Sequence, residues 1–74
     1  MNNDTISGKW TEIKGEIKNT WGKLTDDELE AIDGEWDQLI GSLQARYGLK
    51  RQEVEQRLQK MLSDWSAERQ RQAS

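Results

Sequence analysis

Seven carboxylates, Asp26, Asp27, Glu28, Glu30, Asp33, Glu35 and Asp37, crowd residues 26–37 with no base among them. Side chains of this type could trade protons or hold a cation. Asp33 and Asp37 share a helical face, but general acid–base work also needs a cleft that shifts their pKa values, which a small helical domain seldom makes. The run does not alternate acids toward a glycine as an EF-hand loop does. With no histidine and no cysteine, the usual nucleophile and base pairs cannot be assembled, and zinc and disulfide staples are excluded. Ser7, Ser42, Ser63, Ser66 and Ser74 lie outside any nucleophile-elbow context, and no glycine-rich loop ends in Gly-Lys-Ser/Thr. The expectation is a protein that is not an enzyme and carries no cofactor or metal.

The other charge-bearing segment is basic. Arg46, Lys50, Arg51, Arg57 and Lys60 face only Glu53 and Glu55 over residues 46–60, a candidate partner surface on a dipolar molecule. It could meet nucleic acid or anionic lipid transiently. A net charge of -3 argues against nucleic acid as the main partner, and solvated helix faces explain both runs more simply. Trp10 and Trp21 with Lys9, Lys14, Lys18 and Lys23 resemble a surface-active helix, yet Glu12 and Glu16 interrupt the basic face. Membrane is therefore not expected as a main partner either. Any partner is unknown from the sequence; weak protein contacts by a monomer are the expectation.

The elements that carry these residues are legible as helices. Ile6, Trp10, Ile13, Ile17 and Trp21 step by four and three, one face of a first helix. Leu24-Thr25-Asp26-Asp27-Glu28-Leu29 opens a second, with Thr25 and Glu28 at capping-box spacing and Leu24 and Leu29 placed as a staple. The apolar series Leu29, Ile32, Trp36, Leu39, Leu43, Tyr47 fits one continuous helix, but Gly34 matches Gly8 and favours a break at Asp33-Gly34. A last helix follows Gly48, with Leu49 and Val54 as staple, Lys50 a poor N-cap, and Val54, Leu58, Met61, Leu62 and Trp65 facing inward.

A shift of 26 residues superposes two glycine-marked stretches without a gap: Gly8 on Gly34, Trp10 on Trp36, Ile13 on Leu39, Gly15 on Gly41, Ile17 on Leu43, Trp21 on Tyr47 and Gly22 on Gly48. This reads as an internal repeat, residues 8–33 and 34–62, within a single domain at 7–66. Residues 1–6 read as a partly disordered segment and 67–74 as a frayed or disordered tail. The fold class expected is all-α, a small four-helix domain. Trp10, Trp21, Trp36 and Tyr47 must supply core area in a chain without phenylalanine, leaving Trp65 for partial exposure. Gly22 and Gly48 suit left-handed C-caps, and Gly8 and Gly34 flank helix starts. For Gly15 and Gly41, close packing inside the fold is preferred over a partner contact or tolerated flexibility. A chain of 74 residues with mean hydropathy of -1.08 has little apolar material for a core.

MNNDTISGKW lacks the pattern of a secretory signal, and no apolar run approaches the roughly 20 residues of a membrane span. Cytoplasmic location is expected.

The run Trp21-Gly22-Lys23-Leu24-Thr25-Asp26-Asp27, with Gln44-Ala45-Arg46-Tyr47-Gly48, resembles the CsbD-like family of small bacterial general-stress proteins over residues 8 to about 60. Lys50, in place of a more usual polar N-cap, and an Arg/Gln-rich tail depart from the family pattern. The resemblance implies two roughly orthogonal helical hairpins, similar to SAM-like domains, in a stress-induced protein without established catalytic or ligand residues. It also implies membership of the glycine-rich, hydrophilic class called hydrophilins. Two functions follow: a protectant acting by abundance and weak contacts, or an adaptor for one defined protein partner, the latter by analogy of fold alone.

Overall fold

The structure, a computed structural model, describes the backbone of residues 3–73 and the side chains of residues 6–67. It is all-helical over the described residues: α1 (Asn3–Gly8), α2 (Trp10–Thr20), α3 (Asp26–Ile32), α4 (Trp36–Tyr47) and α5 (Arg51–Ala73). Five helices replace the four expected because the first helix is divided. Lys9 leaves helical geometry at φ -122° and ψ 20°, and its N–H bonds the Ile6 carbonyl in a tight turn at 3.3 Å. The apolar period continues across the break, since Ile6, Trp10, Ile13 and Ile17 are all buried. Periodicity alone could not reveal it.

Two terminal expectations fall partly outside the described residues. Within them, the backbone is helical from Asn3 and Ile6 is fully buried, while α5 continues to Ala73.

Local signals account for the remaining boundaries. Thr25 Oγ1 accepts from the Glu28 N–H at 3.1 Å, and Glu28 Oε1 accepts from the Thr25 N–H at 3.1 Å, so the capping box opens α3. Asp33, at φ 48°, closes α3 in the left-handed region, and Gly34 follows at φ 81°. Helices α3 and α4 are thus separate, as the Gly8–Gly34 match favours. Gly48 is a left-handed C-cap at φ 67°. Gly22 is not: α2 is closed by Trp21, whose N–H bonds Ile17 O, and the chain turns through a bond from Leu24 N–H to Trp21 O. The Lys50 N–H donates to Glu53 Oε1 at 3.3 Å, the reciprocal half of a capping box at the start of α5.

The core gathers from every helix. Ile6 of α1, Ile13 and Ile17 of α2, Leu29 and Ile32 of α3, Leu39, Ile40 and Leu43 of α4, and Val54, Leu58 and Leu62 of α5 are buried with Trp10, Trp21 and Leu24. Trp36 and Tyr47, expected inside, are half-buried like Trp65 and pack against the core edge. Ile40 lies outside the apolar series read from the sequence, yet it is fully buried. No charged or polar residue is buried among those described.

Candidate functional site

The candidate basic surface is largely neutralised within the chain. Arg46 Nε is 2.9 Å from Glu28 Oε2, and Arg51 reaches both Asp37 Oδ1 at 2.7 Å and Glu55 Oε1 at 2.8 Å. Lys60 pairs with Asp64 at 3.3 Å. Glu28 and Asp37 belong to the acidic run, so folding brings the two oppositely charged segments together in place of the dipole that the sequence suggests. Exposed pairs of this kind add little stability; they fix which charges face one another. Arg57 has no ion-pair partner among the described residues and is exposed on α5.

Glu28 has two tasks. One carboxylate oxygen caps α3 and the other accepts from Arg46. The hydrogen bond from Arg46, followed by that from the Thr25 backbone, holds its carboxyl below the ordinary glutamate value.

Gly15 and Gly41 do not pack inside the fold. A Cβ added at either would meet nothing within 4 Å, which corrects the expectation of close internal packing. Each lies instead on an open groove. Gly15, with Glu12, Glu16 and Asn19 of α2, lines about 670 Å³ against α3; Gly41, with Gln38, Ser42 and Ala45 of α4, lines about 490 Å³ beside Glu28 and Arg46. These are corresponding positions of the two glycine-marked stretches. Lys14 bridges the first groove to Glu30.

A third groove, of about 440 Å³, lies where α2 and α4 end against α5 and is lined by Thr20, Trp21, Tyr47, Arg57, Lys60, Met61 and Asp64. Its aromatic wall is built by an edge-to-face contact of Trp21 with Tyr47, ring centroids 5.1 Å apart. Lys23 fixes Tyr47 from two sides: its N–H donates to Tyr47 Oη at 3.0 Å, and its ammonium lies 5.0 Å over the ring centroid. Trp21 Nε1 is buried and finds no acceptor among the described residues, a state that costs about 1–3 kcal/mol. The indole of Trp10, by contrast, donates to Leu29 O at 3.2 Å. Sequence reasoning placed Trp21 in the core but missed this groove, because its walls come from segments far apart in the chain.

The remaining motif residues have structural positions. Gly8 ends α1, Gly34 is buried in the α3–α4 turn, and Trp36 opens α4. Lys50 precedes α5. No group of three or more His, Cys, Asp or Glu among the described residues is arranged to hold a metal ion, and no helix there is long and apolar enough to cross a membrane.

Comparison with known proteins agrees with the motif. The chain is 52% identical over 56 residues to a UPF0337 protein of Pseudomonas aeruginosa, covering 76% of this chain and 86% of that one. It is 45% identical over 65 residues to the UPF0337 protein YjbJ of Escherichia coli K12, covering 88% of each. A UPF0337 protein of Pectobacterium atrosepticum is 51% identical over 55 residues, 74% of this chain and 80% of that one. No solved structure gives a significant match. The CsbD-like family model matches residues 4–56, and by that match and these relatives the chain belongs to the CsbD-like family.

Proposed function

We propose that this protein is a non-enzymatic bacterial stress-response protein, a hydrophilic protectant of the cytoplasm that acts by abundance and weak contacts. The observation that carries the reading is the separation of charge from core. No charged residue among those described is buried, and opposite charges from distant segments are tied to one another across the surface, as in Arg46–Glu28 and Arg51–Asp37. A surface of mixed, mutually compensated charge with a net charge of -3 stays hydrated and resists self-association at high concentration. The exposed glycines at positions 15 and 41 add unobstructed backbone to that surface.

In the same reading, the two glycine-marked stretches descend from a duplicated helical hairpin, packed in the SAM-like manner. The recurrence of Gly15 and Gly41 on open grooves at corresponding positions supports that origin.

The test is an amide NMR spectrum of the isotope-labelled full chain in buffer and in clarified lysate of stressed bacteria. Peaks that stay sharp and in place support the protectant. A defined subset that broadens or shifts would replace it with an adaptor for one protein partner, and the affected residues would locate the interface.

A further inference from the structure

The groove at the junction of α2, α4 and α5 combines features that the protectant reading does not use. Its wall is aromatic and flexible at once, with Trp21 set edge-on to Tyr47 and Met61 beside them. A thioether of that kind adapts to irregular apolar shapes. Its rim is cationic on a chain that is acidic overall: Arg57 and Lys60, one turn apart on α5, against the single carboxylate of Asp64. Lys60 is held by Asp64 through a pair in which both side chains are mostly exposed, while Arg57 has no ionic partner among the described residues. Hydrogen-bond donors therefore outnumber acceptors. Trp21 Nε1, on a residue only 3% exposed, adds a buried donor without an acceptor among the described residues, and Tyr47 Oη already accepts from Lys23 N–H.

We propose that this groove binds a small carboxylate with a flat apolar body, the carboxylate on the Arg57 guanidinium and the body against Trp21, Tyr47 and Met61. A planar guanidinium matches a carboxylate with two parallel hydrogen bonds. One uncommitted cation with Asp64 nearby suits a single negative charge; a dianionic phosphate would demand more positive charge and meet repulsion from Asp64. The volume of about 440 Å³ lies in the range of small-molecule sites.

The experiment follows the indole N–H resonances of the 15N-labelled full chain during titration with naphthalene-2-carboxylate, with naphthalene-2-carboxamide and with acetate. The expected result is a saturable shift of the Trp21 indole with the carboxylate, at least tenfold weaker affinity for the carboxamide, and no saturable response to acetate. Arg57→Gln, an exposed substitution whose fold is checked in the same spectra, should weaken the carboxylate at least tenfold. Equal affinity for carboxylate and carboxamide would reduce the groove to an apolar patch, and a saturable acetate response would reduce it to a bare anion contact. Either result, an unchanged affinity in Arg57→Gln, or no saturable shift at Trp21 overturns the proposal.

Discussion

Trp21 and Tyr47, which occupy corresponding positions in the two glycine-marked stretches, meet edge to face with ring centroids 5.1 Å apart and planes inclined at 79°. The contact joins the end of α2 to the end of α4, and Lys23 secures it by donating its backbone N–H to Tyr47 Oη. Two helix ends without a covalent staple are thereby held at one point, and the groove above them takes its shape from that contact.

Replacing Tyr47 should expose this directly. Tyr47→Phe keeps the ring contact and removes the acceptor for Lys23, costing about 1 kcal/mol. Tyr47→Ala also loses ring packing; because Tyr47 is half-buried, the cost should be about 2–3 kcal/mol, short of a fully buried aromatic. Urea midpoints in the order wild type, Phe, Ala are expected. An alanine variant as stable as wild type would remove the junction from the stability of the fold.

The glycines divide into two classes with opposite outcomes. Gly34 is at φ 81°, and a Cβ there would stand 2.8 Å from Ser7 Cα, so Gly34→Ala should cost about 2 kcal/mol or more. Gly15 and Gly41 are within helices and face open space. Alanine at either should stabilise the protein by about 0.5–1 kcal/mol, because it restricts the unfolded chain and clashes with nothing. Thermal melts of the three single variants decide the matter, and a destabilised Gly15→Ala or Gly41→Ala would restore a packing role that the structure denies them.

How far the fold was legible in the sequence follows from the range of the forces involved. The capping box of Thr25 and Glu28 and the left-handed Gly48 are local arrangements, and the apolar spacing of α5 reports its buried face through a period of one helix. The break at Lys9 is different. Ile6 and Trp10 keep the same phase on either side, and Gly34 must be free of a side chain because α1 comes against the α3–α4 turn, which no spacing records. Gly22 differs for a related reason: the helix closes one residue earlier, at Trp21, whose ring packs against Tyr47 from the far end of α4. The basic segment looked free for a partner until Glu28 and Asp37 were brought beside Arg46 and Arg51.

Acid should loosen α3 through Glu28. Its carboxyl is held below the ordinary glutamate value, chiefly by the hydrogen bond from Arg46. A group depressed in the folded state contributes stability that is fully present above the unfolded value and lost as pH falls through the folded one. The stability advantage of wild type over Glu28→Gln should therefore be constant near neutrality and shrink as pH falls from the ordinary glutamate value through the lower folded one. Urea midpoints of both proteins from pH 7 to about pH 2.5 measure it. An advantage that persists undiminished in strong acid would show that the charge of Glu28 is not what stabilises the cap.

The short helix α1 should prove integral to the domain. Ile6 is fully buried in the common core, and Ser7 Oγ donates to Gly34 O at 3.3 Å where α1 comes against the α3–α4 turn. Ile6→Ala should cost about 2–5 kcal/mol, the range for emptying a packed aliphatic site, and Ser7→Ala about 1 kcal/mol through its one hydrogen bond. The larger effect belongs to Ile6 because its side chain fills core volume, whereas Ser7 only trims the approach of two backbones. In Ile6→Ala, amide exchange should quicken at Gly34 and Glu35 as well as in α1, since the turn loses the helix that covers it. A variant with unchanged stability and unchanged exchange at Gly34 would mean that α1 does not dock there and that the domain closes without it.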